Sequence, residues 1–129
     1  MDDHVVVREG IRKALGEFED LLVCGTAADG AAAVARVREL SPDVVLMDLA
    51  MPVMGGLEAT RQIHEICPEI SVVVLSAHQQ REHVRDALGA GARGYVIKGE
   101  PVEAIVDAIR SVRRGEAGLS PRARAELPD

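Results

Sequence analysis

The sequence predicts an α/β fold, in which a doubly wound parallel sheet is covered by helices on both faces. Short apolar runs alternate with segments of helical period, which is typical of repeated βα units. The runs are aliphatic or β-branched throughout, as expected of strands that are buried on both sides. The chain has 129 residues, of which 47% are hydrophobic, and this length fits one domain with a single core.

The strands are predicted from four apolar runs, at residues 21–25, 44–47, 72–75 and 95–97. A doubly wound sheet normally begins with a strand that lies in its middle, but here only one residue precedes the acidic pair Asp2 and Asp3. Residues 5–7 are all valine and would suit a strand, yet they continue to Ile11 and Ala14 at helical spacing, which favours a helix. We therefore expect the first strand to be missing from this chain.

Five helices are predicted from hydrophobic residues that recur every three or four positions. The third and fourth cover residues 57–67 and 84–91, and the fifth runs from Val102 to Val112 between Pro101 and Gly115. The first two are carried by Val7, Ile11, Ala14, Leu15 and Phe18, and by Val34, Val37 and Leu40.

The last fourteen residues differ in composition from the rest. Residues 116–129 contain few large apolar side chains and two prolines, Pro121 and Pro128. We expect one domain over residues 1–115, followed by a linker tail that contains at most one short helix.

Composition excludes several classes of function. The net charge is −6 and the sequence pI ≈ 5.2, so the surface would repel a polyanion and the partner is expected to be a protein. No run approaches the roughly 20 apolar residues of a membrane span, and the N-terminus lacks the basic start of a signal peptide, so we expect a cytoplasmic protein. Cys24 and Cys67 have no metal or redox spacing and are interpreted as small core residues.

Polar side chains stand where the predicted strands end. Asp48 closes the second run, and Ser76 and Lys98 follow the third and fourth runs, while Asp2 and Asp3 precede the first predicted helix. The carboxyl ends of parallel strands meet at one edge of a sheet, so these residues are expected to share a crevice.

The chemistry of this set indicates phosphoryl transfer. Three carboxylates in one crevice repel one another and call for a cation, and Mg²⁺ is the hard ion that oxygen ligands prefer. Lys98 supplies a positive charge for a phosphoryl oxygen, and Ser76 can donate a hydrogen bond to another. Asp48 would be the acceptor nucleophile.

Each of these residues also has a structural interpretation. Asp2 and Asp3 could be a frayed N-terminus or a helix cap, Ser76 a helix cap, and Lys98 a solvated charge, while Tyr95 suits a core role or a switching role. The four histidines lack metal spacing and are interpreted as surface residues, of which His78 alone lies near the crevice, where it could affect dephosphorylation. They are His4, His64, His78 and His83.

Taken in order, these segments resemble a bacterial response-regulator receiver domain of the NarL/FixJ type, which has a LuxR-like output. The resemblance covers residues 2–115. It rests on the acidic pair with His4, on residues 42–57 around Asp48, on Leu75 to His78, on the glycine-rich stretch 89–98 and on Gly118 to Pro121.

The resemblance implies a flavodoxin-like (CheY-like) fold and a phosphoprotein of a two-component phosphorelay. A sensor histidine kinase would phosphorylate the receiver, and magnesium would be the cofactor. The receiver would itself promote the transfer and the later hydrolysis, without being an enzyme otherwise. The matching positions are Asp48 as the phosphorylated residue, Asp3 as direct metal ligand, Asp2 as ligand through water, Ala50 as carbonyl ligand, Ser76 as switch hydroxyl, Tyr95 as switch aromatic and Lys98 as phosphate-binding lysine.

Two departures from the family leave an alternative open. The expected loss of the first strand would remove the anchor of Asp2 and Asp3, and the DNA-binding output domain that regulates transcription is absent from this chain. The alternative is a degenerate receiver that acts as a protein-interaction or dimerisation module without phosphate. A magnesium phosphatase is disfavoured, because Ala50 stands where a second carboxylate is expected.

Overall fold

The computed structural model describes residues 3–7, 15, 17–26, 29–48, 55–78 and 80–126, with the backbone alone at 3–7, 23–24 and 26. The strands in this part are β1 (Asp3–Val7), β2 (Leu21–Thr26), β3 (Val44–Asp48), β4 (Ser71–Ser76), β5 (Gly94–Ile97) and β6 (Gly118–Leu119). The helices are α1 (Gly30–Leu40), α2 (Gly56–Ile66), α3 (Arg81–Gly89), α4 (Val102–Arg113) and α5 (Pro121–Arg124).

The strands form one sheet in the order β2-β1-β3-β4-β5-β6, and each neighbouring pair is parallel. Parallel strands need crossover connections, which the helices provide. The predicted doubly wound, flavodoxin-like fold is confirmed. The four predicted strands are present as β2 to β5, and the predicted second to fifth helices as α1 to α4.

The expectation that the first strand is missing is wrong. Residues 3–7 form β1, which lies between β2 and β3, with Val5 aligned with Val44 and Val6 with Val45. An empty place there would leave backbone groups of β2 and β3 unpaired, and the three valines have high β propensity. Pairing within the sheet therefore makes residues 5–7 a strand, although their spacing toward Ile11 and Ala14 predicts a helix. Ile11 and Ala14 themselves lie outside the described residues.

The core is divided between the two faces of the sheet. Side chains of β3 alternate between the faces, so that Val45 and Met47 pack toward α1, α2 and α3, whereas Val44 and Leu46 pack toward α4. Each aliphatic side chain that is fully buried in this way contributes about 1.5–3 kcal/mol. Burial on both faces explains why the strand sequences are continuously apolar.

The segment expected to be a linker requires a correction over residues 118–126. Gly118–Leu119 pairs with β5 as β6, and the side chain of Ala123 on α5 is completely buried. Gly118 permits this packing, because a Cβ atom there would lie 2.5 Å from the carbonyl oxygen of Ala108 on α4. The one short helix expected in the tail is α5. No helix in the described part of the chain has the length and apolarity needed to cross a bilayer.

Gly91, between α3 and β5, provides a test of the packing on one face. Its φ of 111° is unfavourable for other residues, and a Cβ atom there would collide with the His64 side chain of α2. We expect Gly91→Ala to lower the free energy of unfolding by about 1–3 kcal/mol in urea titrations. Gly89→Ala is the matched control, since a Cβ at Gly89 meets open space. Equal losses in the two variants would contradict this account.

An ion pair fastens α4 to the start of β2. Arg110 donates from Nε and Nη2 to the two carboxylate oxygens of Asp20, at 2.7 and 2.8 Å, and its guanidinium lies 6.0 Å from the centre of the Phe18 ring. The hydrogen bonds from Arg110 lower the pKa of Asp20 below its ordinary value of 3.8. Both side chains are about two-fifths exposed, so solvent screening keeps the stabilisation modest.

The lowered pKa of Asp20 gives the pair a defined pH dependence. Its contribution to stability is fully present above pH 3.8 and is lost as the pH falls through the lower pKa of the folded state. Asp20→Asn should therefore reduce the free energy of unfolding at pH 7, and its difference from the parent should shrink below pH 3.8. Asp107→Asn, at an exposed carboxylate on α4, is the control and should leave the free energy of unfolding at pH 7 close to that of the parent.

Candidate functional site

A buried carboxylate and a lysine form an ion pair at the carboxyl-terminal edge of the sheet. Asp48 is the last residue of β3, and its Oδ2 accepts a hydrogen bond from Nζ of Lys98 at 2.9 Å. The Asp48 side chain is 7% exposed and that of Lys98 39% exposed. A carboxylate so far removed from water needs a charged partner, and Lys98 supplies one beside solvent.

Ser76 lies at the same edge, on the strand between the two charged residues. It is the last residue of β4 and is buried, and β4 aligns Leu75 with Asp48. Its Oγ accepts a hydrogen bond from the backbone N of His78 at 3.0 Å, and its carbonyl accepts one from the backbone N of Lys98 at 2.8 Å. The structure therefore brings Asp48, Ser76 and Lys98 together, as the sequence predicts.

Tyr95 extends this set into the core. Its ring on β5 is completely buried, and its hydroxyl donates a hydrogen bond to the carbonyl of His78 at 2.7 Å. Burial raises the pKa of the Tyr95 hydroxyl, and a hydrogen bond with Ser76 opposes this shift. The hydroxyl is therefore neutral at pH 7 and acts as the donor that joins β5 to the segment after Ser76.

Asp3 does not lie at this edge, so the prediction that it joins Asp48 is wrong. Val5 is aligned with Val44 in the parallel pair, which places Asp3 level with position 42, because 44 − 2 = 42. Asp48 is six residues further along (48 − 42), or about 20 Å at the rise of a strand. The valines that fill β1 follow the acidic pair, so Asp3 stands at the beginning of the strand. Asp2 and Ala50 lie outside the described residues.

The fit of this edge to a magnesium ion is incomplete. Mg²⁺ is commonly held by one or two carboxylates together with water and phosphate. Asp48 offers one carboxylate, and it is engaged by Lys98. Within the described ranges, no three side chains of His, Cys, Asp or Glu are grouped so that they could hold a metal. Among the described residues, therefore, the three-carboxylate crevice that the sequence predicts is not formed.

Sequence reasoning missed Glu100, which is two residues beyond Lys98. Its Oε2 accepts a hydrogen bond from the backbone N of Ile97 at 3.0 Å, and its Oε1 accepts one from the backbone N of Arg122 at 3.1 Å. A glutamate in a turn normally indicates a solvated loop, so only its closeness to Lys98 could have drawn attention to it.

The sequence also missed a contact between two histidines. The rings of His78 and His83 are stacked, with centroids 4.2 Å apart and an interplanar angle of 10°. His78 is exposed, as interpreted from the sequence, but His83 is partly buried. No atom of the described residues bonds to Nδ1 of His83, which is buried. The stack borders the segment that follows Ser76.

Comparison with known proteins identifies the family. The family model for the response regulator receiver domain matches residues 1–110. The chain belongs to this family. Response regulator GacA of Pseudomonas aeruginosa is 43% identical over 127 residues, which cover 98% of this chain and 59% of the relative. Response regulator protein VraR of Staphylococcus aureus is 39% identical, with 98% and 61% covered. The receiver chain therefore spans about three-fifths of the length of these relatives.

Solved structures agree with this assignment of the receiver. A two-component response regulator of the LuxR family from Aurantimonas sp. SI85-9A1 has a TM-score of 0.91 and 30% identity, covering 98% of this chain and 95% of that one. The isolated receiver domain of RcsB from Salmonella enterica serovar Typhimurium, with the phosphomimetic BeF₃⁻, has a TM-score of 0.87, 22% identity and coverage of 99% and 100%. The second likeness concerns the fold alone. The expected NarL/FixJ-type receiver is confirmed.

The ion pair between Asp48 and Lys98 can be tested by a double-mutant cycle. Lys98→Met should leave the buried carboxylate without its cation and lower the free energy of unfolding by about 1–3 kcal/mol. In that background Asp48→Asn should restore part of the loss. Urea titrations of the four proteins should give a coupling of about 0.5–3 kcal/mol, and strictly additive effects would contradict the pair.

Proposed function

We propose that this receiver accepts a phosphoryl group on Asp48 from the phosphohistidine of a sensor histidine kinase. The observation that carries the proposal is the ion pair of 2.9 Å between Asp48 and Lys98 at the sheet edge, beside Ser76. Membership of the receiver family supports the same assignment. The domain is a signalling phosphoacceptor, which receives a group and is itself changed by it.

The proposed transfer uses three side chains in different roles. A carboxylate oxygen of Asp48 attacks phosphorus, the bond between phosphorus and the histidine nitrogen breaks, and the electron pair of that bond leaves with the imidazole. Lys98 moves its ammonium from the carboxylate to a phosphoryl oxygen, where it offsets negative charge. The Ser76 hydroxyl donates a hydrogen bond to another phosphoryl oxygen. Water later hydrolyses the acyl phosphate and restores the ion pair.

The new charge would act on the residues that surround the site. A phosphoryl group adds a charge of about −1.5 to −2, by analogy with other phosphorylated side chains. It would favour one arrangement of Ser76 and Tyr95 over another that already exists in the ensemble. We propose that the surface of α3, β5 and α4 transmits this change to a transcriptional output. In this proposal DNA is contacted through that output, and the formation of a homodimer depends on the same change.

Magnesium is proposed as the cofactor of this reaction, because receiver domains generally depend on it for phosphorylation. Asp48 would be one ligand, and Asp2 and the carbonyl of Ala50 stay as candidates from outside the described residues. When bound, the ion would neutralise charge on the phosphoryl group. Asp3 is left out of the proposed ligands, because it precedes Val5 in β1 and Val5 is aligned with Val44 at the start of β3.

The position of Asp3 favours a second candidate function. With Asp3 about 20 Å from Asp48 along the sheet, the site lacks an acidic ligand that the family resemblance implies. A receiver without metal affinity would bind partners or dimerise independently of phosphate. In that case the ion pair between Asp48 and Lys98 would only stabilise the fold, by joining the end of β3 to the residue that follows β5.

Phosphorylation in vitro decides between the two candidates. We expect the chain, incubated with Mg²⁺ and acetyl phosphate, to gain the mass of one phosphoryl group by intact mass spectrometry, and to lose it slowly when the donor is removed. Asp48→Asn should gain nothing, and EDTA should prevent the gain. Asp43→Asn is the matched control, since Asp43 directly precedes β3 at the opposite end of the strand and pairs with Arg113.

Two results would overturn parts of this proposal. If the parent chain gains no mass, the phosphate-independent module is favoured. If a gain survives Asp48→Asn, another residue is the acceptor.

A further inference from the structure

The tail from Gly118 to Glu126 is built into the sheet edge next to the site. The backbone N of Gly118 donates to the carbonyl of Arg93 at 2.9 Å, and that of Ser120 donates to the carbonyl of Tyr95 at 3.0 Å. Ser120 is buried, and its Oγ accepts a hydrogen bond from the backbone N of Ala123 at 3.3 Å, which holds the first turn of α5. The tail thus covers β5, which would otherwise be an edge strand.

Glu100 ties this tail to the turn that carries Lys98. The turn of residues 97–100 is closed by a hydrogen bond from the backbone N of Glu100 to the carbonyl of Ile97 at 3.2 Å. The carboxylate of Glu100 closes the same turn from its side chain, and its other oxygen holds the backbone N of Arg122 in the tail. A charged acceptor shared by two backbone donors is a strong link. Displacing the tail would therefore loosen one of the bonds that define the turn around Lys98.

A second connection passes through Tyr95. The buried cluster that contains its ring also contains Ala123 of the tail and Val84 of α3. The Tyr95 hydroxyl is bonded to the carbonyl of His78, whose backbone N is bonded to Ser76. On the far side of the tail, Arg81 Nε at the start of α3 donates to the carbonyl of Glu126 at 3.0 Å. The tail therefore contacts the structural elements that follow both Ser76 and Lys98.

We propose that the docked tail, held by Glu100, is a positioning element of the phosphoacceptor site. The inference rests on the proposed function of Asp48. A docked tail fixes the turn of residues 97–100, which holds Lys98 toward the carboxylate, and keeps Tyr95 buried beside His78. Glu100 acts as a positioning residue through Lys98 and does not touch the phosphoryl group.

The direction of the coupling follows from these contacts. A phosphoryl group on Asp48 needs Lys98 within reach and Ser76 turned toward it, and the docked tail stabilises the elements that carry both residues. The phosphorylated site and the docked tail therefore favour the same arrangement. Because linkage is reciprocal, phosphorylation must strengthen docking by the factor by which docking strengthens the phosphorylated state.

The first test of the coupling needs no phosphate. Amide hydrogen exchange of residues 118–126 is measured in the parent chain and in Lys98→Met, with exchange in β3 and β4 as the reference for general stability. We expect exchange in the tail to rise by about fivefold or more relative to that reference. Ala123→Asp, which places a charge in the core, should undock the tail, whereas Ala125→Asp at an exposed position should not.

The second test measures the reciprocal effect with Mg²⁺ and BeF₃⁻. Glu100→Ala and Ala123→Asp should each weaken the affinity for BeF₃⁻ by about fivefold or more, and BeF₃⁻ should slow exchange in the tail of the parent chain. Glu100→Gln should lie between, because an amide offers one acceptor oxygen where the carboxylate offers two. Glu103→Ala, at an exposed glutamate in the first turn of α4, and Ala125→Asp are the controls and should bind like the parent.

The outcomes separate this inference from the proposed function. If the parent chain takes up neither phosphoryl nor BeF₃⁻, the proposed function fails, and the exchange of the tail in Lys98→Met still decides the coupling. Tail exchange that rises no more than the reference overturns the inference, whether or not the chain is phosphorylated. Equal BeF₃⁻ affinity of Glu100→Ala, Ala123→Asp and their controls also overturns it.

Discussion

A strand inside a parallel sheet must be hydrogen-bonded on both sides, and this constraint determines most of the molecule. The place between β2 and β3 is filled by residues 3–7, whose three consecutive valines suit a buried strand. With this place filled, β3 pairs with β1 and β4, and it ends with Asp48 at the carboxyl-terminal edge of the sheet. The same choice leaves Asp3 at the opposite edge, because the acidic residue precedes the valines in the chain.

The parts of the structure that the sequence predicts are those with a side-chain pattern. Residues 44–48 and 72–76 are apolar until their final polar residue, so both strands and the positions of Asp48 and Ser76 could be predicted directly. Residues 5–7 could not, since a short apolar run suits a strand as well as a helix turn and only its neighbours decide. The tail is held largely by backbone bonds, by Gly118 and by one small buried residue, which give no periodic signal.

The site combines a structural and a chemical demand on the same two charges. Asp48 is nearly excluded from water, so its ion pair with Lys98 stabilises the fold of the unmodified chain. The proposed phosphoryl transfer would require Lys98 to exchange this partner for a phosphoryl oxygen at nearly the same place. The turn that carries Lys98 is hydrogen-bonded to the tail through Glu100. A change in the ion pair between Asp48 and Lys98 can therefore alter the docking of the tail through Glu100.

The two margins of the sheet differ in a way that bears on solubility. At one margin β5 is covered by β6, which has only two residues and therefore presents a very short edge of its own. β2 has a neighbour on one side only among the described strands, and its Leu22 is 47% exposed. Unprotected strand margins recruit strands from other molecules. Aggregation of concentrated or partly unfolded chains is therefore expected to start at β2, and a lysine in place of Leu22 would oppose it.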